Sequence, residues 1–424
     1  MSRRPRAPLG DRLRPGPGPG PRPRPRPGVL ALLAIGGIAL VAIAAIASPG
    51  AFPRGYLFAW IFWLGMTVGS LSILLMQYLT GGRWGAVLIR VLEAGSSTLP
   101  LIAIGFVPLV LTLGDLYPWA RGAAPAGSAL AEKQAYLNPA FVVGRAIFYF
   151  LCWGFLTRRA IVLAREIGGI GEPPLRSRMK RFAGPGLVLL TFTATAGLID
   201  WVMALEPAWY STIYGAMVGT EMVLVALGFG TLVLSLLHAR APFDRVLEPR
   251  IWNDLGNMLL AFVMLRAYMA FSQGLLIWYG NLPEEVSWYL RRTRHGYGVL
   301  LAAIALLQFA VPFVALLWRA VKRHRRRLAA VASLLLVTGT ADAWWIVAPP
   351  LRPETVAPAW TDIALLAGFG MVWVAVFLFA LFREPLLRVD DPRLLPYAPL
   401  SPAPASPAVV QPGARPAPAP PAEA

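Results

Sequence analysis

Ten continuous apolar runs, separated by short charged or turn-rich stretches, leave this 424-residue chain few ways to fold. They fall at 29–47, 55–79, 86–113, 139–160, 182–205, 212–237, 254–279, 297–318, 328–348 and 361–382. A hydrocarbon core of ~30 Å is crossed by roughly 20 helical residues, and each run is about that long. Without water, every backbone N–H and C=O in such a run must be satisfied internally, so the spans are helices or a closed barrel. Barrel strands alternate apolar and polar residues. These runs do not, so the predicted fold is an all-α membrane protein with about ten transmembrane helices. Only 14% of residues are charged, against about a quarter in soluble domains.

The formal charge of +18 would suit a nucleic-acid-binding protein, but its distribution does not. Lys and Arg sit between the apolar runs, where membrane topology accounts for them. If the N-terminus is cytoplasmic, the inner segments carry 30 of the 39 basic residues and the outer loops 7, with Arg145 and Arg266 inside spans. Both termini are therefore expected in the cytoplasm. The weakest point is the outer loop 280–296, which holds Arg291, Arg292 and Arg294, with Glu284 and Glu285 as offsetting acids. Residues 1–28 are Arg/Pro/Gly repeats and 391–424 are Pro/Ala-rich; neither can bury a core, and both are expected to be disordered tails around a membrane domain at 29–390. The first run follows a long, proline-broken stretch and reads as a retained helix, not a cleaved signal.

Redox and metal ligands are scarce. Cys152 is the only cysteine and lies in an aromatic run, as a small hydrophobe would. One cysteine holds no iron–sulfur cluster. His238, His295 and His324 lie at or beyond span ends, so no pair can grip a haem within the membrane. No metal site is expected, and any electron carrier must belong to a partner. Aromatic residues cluster at the outer span ends (Tyr117, Trp119, Trp209, Tyr210, Trp278, Tyr279, Trp288, Tyr289, Trp344, Trp345 and Trp360), as interface anchors do. They would also make a surface for a partner or a ring-bearing amphiphile.

Ionisable groups inside a membrane are costly and are usually paired or functional. Glu93, Arg145, Asp200, Glu206, Glu221, Arg266 and Asp342 are the candidates, with Asp254 and Asp362 near span ends. Glu93, Asp200, Glu206 and Glu221 are proton-transfer candidates, because a carboxyl group tuned by a low-dielectric site can pass protons. Each could equally be a structural partner of an arginine. Asp200 and Glu206 do not share a helical face, whereas Glu221 could approach Asp200 if 206–211 closes a hairpin. Glu93 precedes Ser96, Ser97, Thr98, Pro100 and Pro108, a kinked stretch whose freed carbonyls and hydroxyls could line a polar path from the cytoplasm. Arg145, Arg266 and Asp342 are charge-partner candidates; Arg266 should meet a carboxylate, either Glu221 or Asp342. Gly65 and Gly69 have the spacing of a helix-packing contact.

Several stretches together resemble one family: GGRWG at 81–85, LEAGSSTLPL at 92–101, LGDLYPWA at 113–120, YLNPAF at 136–141, IDWVMALEPAWYSTIYG at 199–215, and the long WNDLGNMLLAFVMLRAYMAFSQGLLIWYGNLPEEVSWYLRRT at 252–293. This pattern is similar to the second NrfD-like integral membrane subunit of alternative complex III, a quinol:cytochrome c oxidoreductase, over about residues 30–393. The resemblance implies two four-helix bundles with flanking helices in a bacterial inner membrane. It also implies quinone contact or proton translocation without a redox centre in this chain. Haem c subunits, an iron–sulfur subunit and a sister NrfD-like subunit would be the partners. Arg266 departs from the family pattern, which has an aromatic residue before AYMAFSQ. Three other readings remain: the anchor of another NrfD-type reductase, a secondary transporter, and a purely structural subunit. The transporter reading is weakened by the lack of an inverted repeat and by the placing of the best motifs near outer helix ends.

Overall fold

The computed structural model describes residues 26–122, 127, 129–166, 172–240 and 243–387. The tail at 391–424, and that at 1–28 except for its last three residues, lie outside this range. Ten helices are long and apolar enough to cross a membrane: α1 Pro27–Ala47, α2 Phe52–Thr80, α3 Arg83–Leu111, α4 Pro139–Arg165, α5 Pro174–Leu205, α6 Tyr214–Leu237, α7 Pro249–Gly280, α8 Tyr297–Leu317, α9 Arg325–Leu351 and α10 Trp360–Arg383. Each expected span is present. The largest difference is at the start of α5, because the basic stretch before 182 continues the helix without being apolar. Among the described residues there are no strands.

Helix contacts divide eight of the ten into two sets of four. In the first, α2 packs on α3 and α5, and α4 on α3 and α5; in the second, α6 packs on α7 and α9, and α8 on α7 and α9. The sets join through α2 against α6 and α9, while α1 and α10 pair on the flank against α2 and α3. The core stretch of α2 is 83% buried and that of α1 11%, so α2 is the central post and α1 faces lipid. Small residues allow the close crossings. A Cβ on Gly69 would lie 2.2 Å from the Met222 carbonyl oxygen, and one on Gly37 would lie 2.5 Å from that of Gly368. The spacing of Gly65 and Gly69 thus serves the seam between α2 and α6.

Proline sets the irregularities. α3 is broken into Arg83–Ser96, Leu99–Gly105 and Val107–Leu111 around Pro100 and Pro108. The hydroxyls of Ser96 and Ser97 donate to the Glu93 carbonyl, and that of Thr98 to the Gly95 carbonyl. Tyr56 and Trp60 of α2 donate to the carbonyls of Gly105 and Ile102. The expected kink is therefore satisfied locally and by α2. In α8 a π-helical turn, Ala305–Ala310, precedes Pro312. Pro312 has no N–H for the carbonyl of residue 308, and its ring crowds that carbonyl; a widened turn relieves both.

The outer aromatic girdle needs correction. Tyr117, Trp119, Trp209, Trp288, Trp344 and Trp345 are buried, whereas Tyr210, Trp278, Tyr279 and Trp360 are exposed. The buried rings are packing elements; Tyr117, Trp119, Trp344 and Trp345 donate to backbone carbonyls, whereas the buried Trp209 N–H has no partner among the described residues. Tyr117 donates to the Trp201 carbonyl at 2.7 Å, Trp119 to Ala204 at 3.1 Å and Trp344 to Val356 at 2.9 Å. Trp209 stacks on Trp288 with ring centres 4.8 Å apart. An indole has apolar area for the core and one N–H for a carbonyl, so it suits a buried loop as well as a membrane interface.

Candidate functional site

The four helices of the second set each bring one polar side chain to the middle of the membrane domain. Glu221 comes from α6, Arg266 from α7, Gln308 from α8 and Asp342 from α9, and all four are buried. Nη2 of Arg266 donates to both carboxylate oxygens of Asp342 at 2.8 Å. Its Nε lies 3.2 Å from Oε2 of Glu221, close enough to pair electrostatically but not aligned as a hydrogen bond. Nε2 of Gln308 donates to the other Glu221 oxygen at 2.6 Å. The two acids named as alternative partners of Arg266 are thus both its partners. Gly339 on α9 admits the Glu221 side chain: a Cβ there would sit 2.9 Å from Oε1 of Glu221 and 2.4 Å from Val225. The π-helical turn carries Gln308.

This cluster forms the inner wall of a cavity of about 920 Å³ between α7, α8 and the short helix Pro283–Arg291. Arg266, Gln308, Asp342 and the half-buried Tyr289 line its depth; Tyr268, Phe271 and Trp278 line its mouth. Tyr268, Phe271 and Trp278 are largely exposed on the outside of a membrane-spanning helix, so the mouth faces lipid. The lining is apolar apart from its buried end. Burial pushes the Tyr289 phenol up to about 12, so it stays a neutral donor at physiological pH. On its other side the cluster borders a void of about 30 Å³ against α2, lined by Glu221, Asp342 and apolar groups, room for a single water.

Of the remaining sequence-derived candidates, Asp362 is buried against Arg352 at 2.8 Å, and Asp200, Glu206 and Glu93 anchor three further ion-pair groups. Asp200 is gripped by Arg145 through two hydrogen bonds of 2.8 Å and accepts a third from Tyr149 at 3.0 Å. The Arg145 guanidinium lies 3.8 Å from the centre of the Tyr136 ring and also donates to the Tyr136 carbonyl. Burial, with Asp200 nearby, pushes the Tyr136 phenol up to about 12. Glu206 binds Arg292 at 2.6 Å and Arg291 at 2.9 Å. Arg292 is buried, lies over the Trp288 ring and donates to the Ile346 carbonyl. Burial pulls its guanidinium below its ordinary value, with Glu206 opposing. Glu93, fully buried, pairs with Arg90 one turn earlier; Arg90 also donates to the carbonyls of Ala380 and Leu381.

Two expectations change. Asp200 and Glu221 do not share a site, because α4 gives Asp200 its own arginine and α7 gives Glu221 another. Two of the three arginines that weakened the topology argument, Arg291 and Arg292, are engaged by Glu206 and not by Glu284 or Glu285.

Sequence reasoning missed Gln308, Gly339, Tyr149 and Arg90. Gln308 had a visible signal, being the lone strongly polar side chain in the run 297–317. Gly339 had none, since its role depends on which helix faces it. Among the described residues no group of three or more His, Cys, Asp or Glu side chains could hold a metal. In the first helix set Trp60, Phe106, Phe150, Trp153 and Trp201 pack ring against ring, and Tyr149 links them to the Arg145–Asp200 pair. No protein-family model matches the chain, and no curated protein matches it.

Proposed function

We propose that this chain is the non-haem membrane subunit of a quinol-oxidising complex of the alternative complex III type, in the bacterial inner membrane with its Lys/Arg-rich end in the cytoplasm. It would provide a quinone-sized site and proton-handling groups, while an iron–sulfur subunit, haem c subunits and a sister NrfD-like subunit carry the electrons. The observation that supports this reading is the cavity at α7 and α8, with an aromatic, lipid-facing mouth and a buried polar end. A ring-bearing lipid needs apolar walls for its tail and a few convergent polar groups for its ring oxygens. Arg266 and Tyr289 can donate to those oxygens; the Asp342 carboxylate can accept a proton from a ring hydroxyl. Oxidation of a quinol releases two electrons and two protons; the electrons go to a partner's centre, and the protons leave one after the other, the cluster discharging the first before it takes up the second.

Charge arithmetic gives the cluster its proton role. One guanidinium faces two carboxyl groups. The set is neutral when one carboxyl is protonated and carries a single negative charge when neither is. It can therefore take up and release one proton without separating its members.

Purification from the native membrane in mild detergent, followed by mass spectrometry, haem absorbance and quinone extraction, tests the assignment. Haem c, the iron–sulfur subunit, a sister subunit and quinone should be recovered together. Recovery alone, or with a different reductase, overturns the complex. Asp342→Asn and Gln308→Ala should each lower quinol turnover at least tenfold in complexes that still assemble. Unchanged turnover in both variants places quinone elsewhere.

A further inference from the structure

A second recess lies on the opposite helix set, between the broken α3 and the last turns of α4, with a volume of about 500 Å³. What fills it does not depend on the quinone reading. Arg158, Ile161, Val162 and Arg165 line one wall; their spacing of three, four and seven residues puts them on one face of α4, with the arginines two turns and about 10 Å apart. Leu99, Pro100 and Ala103 line the other wall, where α3 is interrupted. The recess passes Gly154, where an added Cβ would meet nothing within 4 Å.

The chemistry changes along its length. Around Phe150, Gly154 and Ala103 it is apolar. Towards the Lys/Arg-rich end of the bundle it meets Arg158, which is exposed and has no ion-pair partner among the described residues, and Arg165, which is 2.6 Å from Glu384 but still 56% exposed. Thr157 also lines it, and its hydroxyl, on a residue only 8% exposed, has no hydrogen-bond partner. An apolar channel within the membrane ending at uncommitted cationic and hydroxyl donors matches an acyl chain joined to a phosphodiester.

We infer that this recess is a binding site for one anionic glycerophospholipid of the adjoining leaflet, with an acyl chain over Gly154 and the phosphate at Arg158 and Thr157. A zwitterionic lipid would bring its own cation to the arginines and bind more weakly. Two variants separate the halves of the site. Arg158→Gln removes the free cation from an exposed position. Gly154→Leu places a side chain in open space, so the helix tolerates it while the channel is filled.

The full chain is reconstituted in nanodiscs of phosphatidylglycerol and phosphatidylcholine, released into mild detergent, and its retained lipids are counted by native mass spectrometry. The native chain should retain one phosphatidylglycerol in preference to phosphatidylcholine. Arg158→Gln should weaken that retention about tenfold or more, as expected for loss of a charge-assisted hydrogen bond, and abolish the preference. Gly154→Leu should lose the retained lipid of either kind. Equal retention of both lipids by the native chain, unaltered retention in both variants, or crosslinking from residue 154 to a polypeptide in place of lipid in native membranes would overturn the proposal.

Discussion

Replacing Arg266 by Met should be among the most damaging single changes in the membrane domain. The guanidinium donates to both carboxylate oxygens of Asp342, at 2.8 Å, and lies 3.2 Å from Glu221. At an effective dielectric constant of about 20, a charge pair at that separation is worth about 5 kcal/mol before desolvation is subtracted. Measured losses on removing one partner of a buried pair are about 3–5 kcal/mol, because the stranded carboxylate must be buried bare or protonated. Arg266→Met should therefore lose about 3–5 kcal/mol, a factor of more than about a hundred in the folding equilibrium. Asp342→Asn should lose less, since Arg266 keeps Glu221. The double variant should fall short of the summed losses by about 1–3 kcal/mol. The triple variant Arg266→Met, Glu221→Gln, Asp342→Asn should recover most of the stability, since no unpaired charge remains. The assay is reversible SDS unfolding in mixed micelles, followed by tryptophan fluorescence. A loss below about 1 kcal/mol for Arg266→Met, or strict additivity in the double variant, would show that these charges are not coupled in the folded protein and refute the reasoning.

The same assay checks two further expectations. Gly69→Ala should destabilise by about 1–3 kcal/mol, because its Cβ would meet the Met222 carbonyl oxygen at 2.2 Å; Gly144→Ala, with nothing within 4 Å, should be neutral or stabilise by up to about 1 kcal/mol. Arg292→Leu should cost about 2–3 kcal/mol, because Glu206 loses its buried partner and keeps only Arg291, and the Ile346 carbonyl loses its donor, whereas Arg291→Leu, which removes a side chain that is 47% exposed, should cost less than about 1 kcal/mol.

The sequence by itself determined the helices and their number, because backbone satisfaction in lipid depends only on the local run of apolar residues. It also singled out the buried ionisable groups, since a charge inside such a run is anomalous wherever the run packs. Arg266 had to meet an acid, and Glu221 and Asp342 were the acids within reach. What the chain could not specify was which helix faces which. Arg145 finds Asp200 across 55 residues, and Arg292 finds Glu206 across 86. Both pairings depend on helix rotation and neighbour order, which leave no trace in composition or spacing. The same limit hid Gln308 and Gly339, whose roles exist only where α8 and α9 close on α6, and it misread the buried tryptophans of the outer end as interface anchors. A lipid-facing indole and a core indole look alike in sequence. Only the packed bundle, by placing a carbonyl or another ring beside each one, decides between them.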